Sequence, residues 1–148
     1  MSSFRSSSQT RVDEKGRLKL TADFKRVVDG KYNAEFFITS KTGETAEIYP
    51  MAEWEKIEAK LALVPSMNPA KKKFLDRVNY YGQVVEMDAQ GRVLLPQILR
   101  ESARLNGDVL VVGNQTYLAV ENLEVLKKRI ESEPLTEEDS KALEGFGI

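Results

Sequence analysis

An α+β fold that is mainly β, built from two fused copies of one small unit, is what the sequence predicts. Three observations carry this. The stretch "VDEKGRLKL" at 12–20 returns as "MDAQGRVLL" at 87–95, with Asp, Gly and Arg in the same places. The elements that follow the two turns come in the same order. And 148 residues suit one compact unit, or two halves that need each other to bury enough surface.

The repeat extends past the turn, as expected of a duplicated supersecondary unit. At an offset of 75, Asp13, Gly16, Arg17 and Leu20 match Asp88, Gly91, Arg92 and Leu95; at 69, Trp54, Ile57 and Leu61 match Leu123, Leu126 and Ile130. The longer hairpin around "KTGET" accounts for the change of offset.

In each half a strand runs into the Asp-x-x-Gly-Arg turn and a short alternating strand leaves it. A helix follows, with Thr21 as N-cap, Phe24, Val27 and Val28 as its apolar stripe and Gly30 as its end; in the second half Pro96 starts the helix and Gly107 ends it. A hairpin comes next, "EFFITS" to "AEIYP" and then "VLVVG" to "YLAVE", and a helix closes each half on the two matched stripes. Between the halves Asn68 caps a helix with Pro69 in its first turn and Phe74, Leu75, Val78 and Tyr81 at helical spacing. The expected division is a first repeat at 4–64, a connecting helix at 65–84, a second repeat at 85–131 and an acidic, loosely held tail at 132–148.

Composition narrows the chemistry. With no Cys and no His, disulfides, thiolate metal sites and the commonest catalytic base are absent. An enzyme would have to rest on Lys or on carboxylates such as Asp13 and Asp88, which the turns already need, so neither catalysis nor a metal or cofactor is expected. No apolar run reaches the roughly 18 residues of a membrane span, and "MSSFRSSSQT" lacks the apolar core of a secretion signal, so a cytoplasmic protein is expected. The net charge of −1 hides a segregation. Residues 1–31 hold 8 Lys/Arg against 4 Asp/Glu and 69–107 hold 7 against 4, whereas 32–68 hold 3 against 6 and 108–148 hold 4 against 9. Positive charge travels with the repeated turn.

The turn has a physical reading of its own. Asp13 and Asp88 can accept backbone N–H bonds two residues on, and Gly16 and Gly91 can take positive φ without steric cost. Each turn then delivers an arginine, Arg17 or Arg92, whose fork suits phosphate or a guanine edge. Each arginine could instead pair with its own Asp and only fix the turn. Against that, the first copy surrounds its turn with Arg11, Lys15 and Lys19, where the second has Glu86, Gln90 and Leu94. Alternation puts Arg17 and Lys19 on one face, available to a polyanion, while Leu94 makes the matching face partly apolar, as packing against a neighbour would need. Arg11, Lys15, Arg17, Lys19 and Arg92 are therefore the DNA-contact candidates, and Asp13, Gly16, Asp88 and Gly91 the turn-forming residues. The "KKK" at 71–73 reads as a solvated helix face, Trp54 as core in preference to a stacking platform, and "TGET" as hairpin chemistry; no phosphate loop is present.

Paired Asp-x-x-Gly-Arg turns, each followed by a helix and hairpin, with "SMNPAKKK" between the halves and "FR" some nine residues before the first Asp, closely resemble the MraZ family over residues 4–130. The resemblance implies two fused AbrB-like swapped-hairpin units in a pseudo-twofold barrel with peripheral helices, a closed ring of identical subunits, and a DNA-binding transcriptional regulator. It implies action on short direct repeats upstream of the chain's own gene and the neighbouring cell-division and cell-wall genes, hence double-stranded DNA and further copies of the chain as partners, association with the nucleoid, and no cofactor. The family's DNA-reading motif maps onto Asp13, Lys15, Gly16 and Arg17, with a second copy at Asp88, Gly91 and Arg92. The sequence departs at Thr21, where the first motif usually has proline. A ring-forming protein-interaction module and an AbrB-type antitoxin whose acidic tail wraps a toxin remain as other readings.

Overall fold

A computed structural model describes residues 3–148. The first half runs β1 (Ser7–Val12), β2 (Arg17–Lys19), α1 (Ala22–Lys31), β3 (Glu35–Thr39), β4 (Ala46–Pro50) and α2 (Met51–Ala62). After α3 (Pro69–Tyr81) the order repeats as β5 (Gln83–Glu86), β6 (Arg92–Leu94), α4 (Gln97–Ser102), β7 (Gly107–Asn114), β8 (Tyr117–Asn122) and α5 (Leu123–Ser132), and α6 (Glu137–Glu144) follows. β5 thus begins inside the stretch expected to connect the halves.

Local chemistry sets most helix starts. The Thr21 side chain accepts the Phe24 N–H and so caps α1. Asn68 accepts from Ala70 and Lys71 ahead of Pro69, and Asn122 from Glu124 and Val125. Two expected helix ends are corrected. Gly30 lies within α1, and Tyr32 caps it by donating to the Val28 carbonyl. α4 stops at Ser102; Arg104 takes the left-handed φ of 55°, the Leu105 N–H closes on the Arg100 carbonyl, and Gly107 instead opens β7 at φ 89°. In α5 the apolar stripe is shorter than expected: Leu126 is buried but Ile130 is 64% exposed, while Arg129 beside it reaches back to the buried Glu121 in a two-point ion pair.

The eight strands lie in the order β5-β3-β4-β8-β7-β1-β2-β6, all neighbours antiparallel. β6 comes back beside β5, so the sheet is a nearly closed barrel. Exchanging each strand for its counterpart in the other half reproduces the same cyclic order, which is the pseudo-twofold symmetry. The first strand of each half pairs with the third strand of the other, β1 with β7 and β5 with β3, so the hairpins are swapped. The fold is therefore α+β, mainly β, with the helices peripheral.

Alternation fills the barrel. Leu18, Val93, Leu95, Ile38, Ile48 and Leu118 are fully buried, and Phe4 is drawn into the same core by pairing with Gln115 and packing on Phe24 and Tyr32. A second cluster seats α2 and α3 on the outside of β3 and β4: Trp54 is 4% exposed, stacked on Phe37 at 4.7 Å and packed against Tyr49 and Val78. Trp54 is thus core. The tail differs from a structureless run, since α6 forms with a capping box in which Thr136 and Asp139 satisfy each other's backbone N–H, but it buries no residue.

Candidate functional site

The two turns are built alike, bond for bond. In the first, Asp13 Oδ1 accepts the N–H groups of Lys15 at 2.9 Å and Arg17 at 2.8 Å, the Gly16 N–H donates to the Asp13 carbonyl, and Gly16 sits at φ 84°. In the second, Asp88 Oδ1 accepts from Gln90 and Arg92 at 2.9 Å each, and Gly91 sits at φ 78°. These backbone N–H bonds, the arginine's first among them, hold both carboxyls below the usual carboxylate range.

Each arginine also pairs with its own Asp, Arg17 Nε to Asp13 Oδ2 and Arg92 Nε to Asp88 Oδ2, both at 2.8 Å. The turn-fixing alternative is thus realised in both copies, yet it uses only Nε. The two terminal nitrogens of each guanidinium make no hydrogen bond among the described residues. The ion pair holds each guanidinium by its Nε edge, with the Arg17 and Arg92 side chains 31% and 26% exposed.

What brings the copies together is the ladder between β2 and β6, in which Arg17 faces Leu94, Leu18 faces Val93 and Lys19 faces Arg92. Leu18 and Val93 point inward at the pseudo-axis, so Arg17, Lys19, Arg92 and Leu94 share the outer face. The turns are cross-linked as well: the Leu20 N–H donates to the Gly91 carbonyl at 2.9 Å and the Leu95 N–H to the Gly16 carbonyl at 3.0 Å. Of the other candidates, Lys15 is exposed on the first turn, and Arg11 stands on β1 in an exposed pair with Asp108 at 3.3 Å.

Two further cations at this site were not singled out from the sequence. Arg100 lies over the first turn, its Nε donating to the Leu95 carbonyl at 3.0 Å and its Cζ 2.4 Å from where a Cβ on Gly16 would stand. Lys25 lies over the second, with its Cδ 3.2 Å from the corresponding position on Gly91. The offset of 75 maps Lys25 onto Arg100, so the signal was present in the repeat. The basic surroundings of Arg17 thus come from Arg11, Lys15 and Arg100, while Arg92 has Lys19 opposite and Lys25 close by. The "KKK" run is a helix face, with Lys72 paired to Asp76 and Lys71 donating to the Val64 carbonyl.

The model of the family described as "MraZ protein, putative antitoxin-like" matches residues 3–77 and 82–144. The chain belongs to the MraZ family. Membership extends further than the resemblance over 4–130 suggested, since the match takes in most of the tail. The chain is 68% identical over 145 residues to "Transcriptional regulator MraZ" of Acidobacterium capsulatum, covering 98% of this chain and 99% of that one. It is 55% identical over 146 residues to the protein of the same name from Koribacter versatilis, again covering 98% and 99%. The relative from Syntrophobacter fumaroxidans is 38% identical over 119 residues, 80% of this chain and 79% of the other. Among the described residues no helix is long and apolar enough to cross a membrane.

Proposed function

We infer that this chain is a DNA-binding transcriptional regulator that docks the β2–β6 face on double-stranded DNA and reads short direct repeats in the promoter of its own cell-division and cell-wall gene cluster. One observation carries the reading: the ladder between β2 and β6 merges the two turns into one outward face holding Arg17, Lys19 and Arg92, flanked by Arg11 and Lys15. A two-stranded ribbon fits the major groove, and guanidinium forks with open far edges suit phosphate or guanine. The names of the relatives support the class of function.

A chain of net charge −1 with a patch of this size binds weakly alone, and a closed ring that presents several patches to repeated sites gains through effective concentration. Exposed Leu63, Met67, Tyr80 and Val84 supply apolar surface for contacts between copies. On this reading the protein is not an enzyme, needs no metal or cofactor, and works in the cytoplasm at the nucleoid. Asp13 and Asp88, the carboxylates an enzyme would draw on, have both oxygens engaged within their own turns.

A gel shift on the promoter of the chain's own operon, over a salt series and with chelator present, tests this. Binding to the repeats, stronger than to a scrambled duplex and weakening with salt, is expected. Equal binding to both, or none, would contradict it. The wording "putative antitoxin-like" favours a second reading, in which a toxin protein is the partner; co-purification of one stoichiometric small protein in place of promoter binding would support that instead.

A further inference from the structure

Two exposed apolar side chains on the second repeat serve neither the core nor a polyanion. Leu94 stands where the first repeat has Lys19, and Ile98 where it has Asp23; each is 47% exposed. Leu94 lies on the outer face of β6 opposite Arg17, and Ile98 follows four residues later in the first turn of α4. Arg17 faces Leu94 across the ladder, Arg92 precedes Leu94 by two residues on β6 beside Lys19, and Arg100 follows Ile98 by two on α4. Phosphate contacts call on the cations and not on the two apolar side chains. A surface of apolar centre and cationic rim fits an acidic amphipathic segment better.

The chain carries such a segment. Residues 133–148 hold Glu133, Glu137, Glu138, Asp139 and Glu144 against a single Lys141. Their apolar side chains are out in solvent: Leu143 is 37% exposed, Leu135 73%, Phe146 80% and Ile148 80%. Leu143 lies in the last turn of α6 and Phe146 in the turn that follows it, where the Phe146 N–H donates to the Leu143 carbonyl. An eight-residue helix that buries nothing is marginal in water, so α6 needs a surface to lie on.

The tether begins beside the C-terminal end of α4. α5 is capped at Asn122, whose side-chain N–H donates to the Arg104 carbonyl just beyond α4. Its ten residues carry the chain about 15 Å away, and the four residues 133–136 can return it by about 13 Å.

We propose that the acidic C-terminal segment, residues 133–148, docks on the face formed by β2, β6 and the start of α4, with Leu143 and Phe146 on Leu94 and Ile98, and there competes with DNA. This rests on the reading of that face as the DNA surface. Because the segment is tethered, its effective concentration is on the order of millimolar, so even a weak contact occupies the face for much of the time. Occupancy by the tail divides the apparent DNA affinity by the free fraction.

The test uses the full chain, the chain ending at Ser132, and a fluorescent peptide of residues 133–148. Shortening leaves the core whole, since no residue after Leu126 is buried. The peptide is expected to bind the shortened chain, to be released by salt, and to bind neither when it carries Leu143→Ser and Phe146→Ser nor when the chain carries Leu94→Ser and Ile98→Ser. The shortened chain is expected to hold the promoter duplex about three- to tenfold tighter than the full chain, and the full chain with Leu143→Ser and Phe146→Ser, its charges intact, to show the same gain. A gain on shortening that the two serines do not reproduce would mean general repulsion and overturn the proposal. So would peptide binding indifferent to Leu94→Ser and Ile98→Ser, or loss of the oligomer in that variant with peptide binding unchanged, which would give the strip to a second copy. DNA binding without any peptide binding overturns the docking and leaves the DNA reading standing; peptide binding by a chain that binds no DNA does the reverse.

Discussion

Gly16 is the residue on which the first turn hinges, and it is constrained twice. Its φ of 84° costs a side chain about 1–2 kcal/mol, and a Cβ there would collide with the Arg100 guanidinium at 2.4 Å. Gly91 shares the backbone requirement but faces the flexible Lys25 at 3.2 Å. Gly16→Ala should therefore destabilise the protein more than Gly91→Ala and also displace Arg100; thermal melts of both variants check this, and equal losses would show that Arg100 simply swings aside. The aspartates set a pH dependence. Their folded pKa values are lowered, so the stability they lend is fully present above the ordinary carboxylate value of about 4 and is lost as pH falls through the lower folded value. The melting-temperature gap between the parent and Asp13→Asn should be constant from pH 7 to about 5 and close toward pH 3. Glu47, whose carboxyl burial pushes upward, titrates in both proteins and cancels in the difference. A gap that persists at pH 3 would mean that Asp13 acts through geometry alone. These turn roles were legible in the sequence because Asp-x-x-Gly bonding is local. Arg100 was passed over because its match to Lys25 lies outside the repeated turn, and only the fold lays it over Gly16.

At the scale of elements, the β2–β6 ladder changes what the sequence could say about the two arginines. Reading along the chain, Arg92 is set among Glu86 and Gln90 and looks less basic than Arg17, but across the ladder Lys19 faces Arg92 and Leu94 faces Arg17. Cross-strand partners come from the other half and cannot be read from neighbours in sequence. Arg17 still has the larger basic setting in Arg11, Lys15 and Arg100, so Arg17→Ala should weaken DNA binding by roughly 1–3 kcal/mol if it reads a guanine edge, and Arg92→Ala should weaken it less. Affinities of both on one repeat-containing duplex check the order; equal losses would mean that the two turns contribute alike. Inward of these side chains, Leu18 meets Val93 at the pseudo-axis, fully buried, and Leu18→Ala should cost about 2–5 kcal/mol. Strand positions and capped helix starts were legible through alternation and Asn, Thr or Pro. Helix ends were not: Gly30 and Gly107 looked like terminators, but Tyr32 and Arg104 do that work through backbone bonds to the preceding turn. Nor was α6, whose capping box lay in a stretch that composition marked only as acidic.

The molecule as a whole is two halves that cannot close separately. Four of the seven ladders join strands of different halves, including the long one between β1 and β7. Unfolding should therefore be a single cooperative transition, and residues 1–82 expressed alone should not fold; two separated transitions in calorimetry would contradict the interlocking. That the chain is a tandem repeat was plain from the matched turns. That the repeats exchange strands followed from the family resemblance and not from periodicity, because pairing between distant segments leaves no mark on either one. The same exchange sets the two arginines on one face, and the central claim is that this face meets DNA. The salt dependence of promoter binding tests it most directly, measured for the parent and for Arg17→Ala with Arg92→Ala, with oligomer size checked in parallel. If each arginine neutralises a phosphate, affinity should fall and the slope of log K against log salt should become shallower by about 2, while the assembly stays intact. Unchanged affinity and slope in an intact assembly would contradict the account.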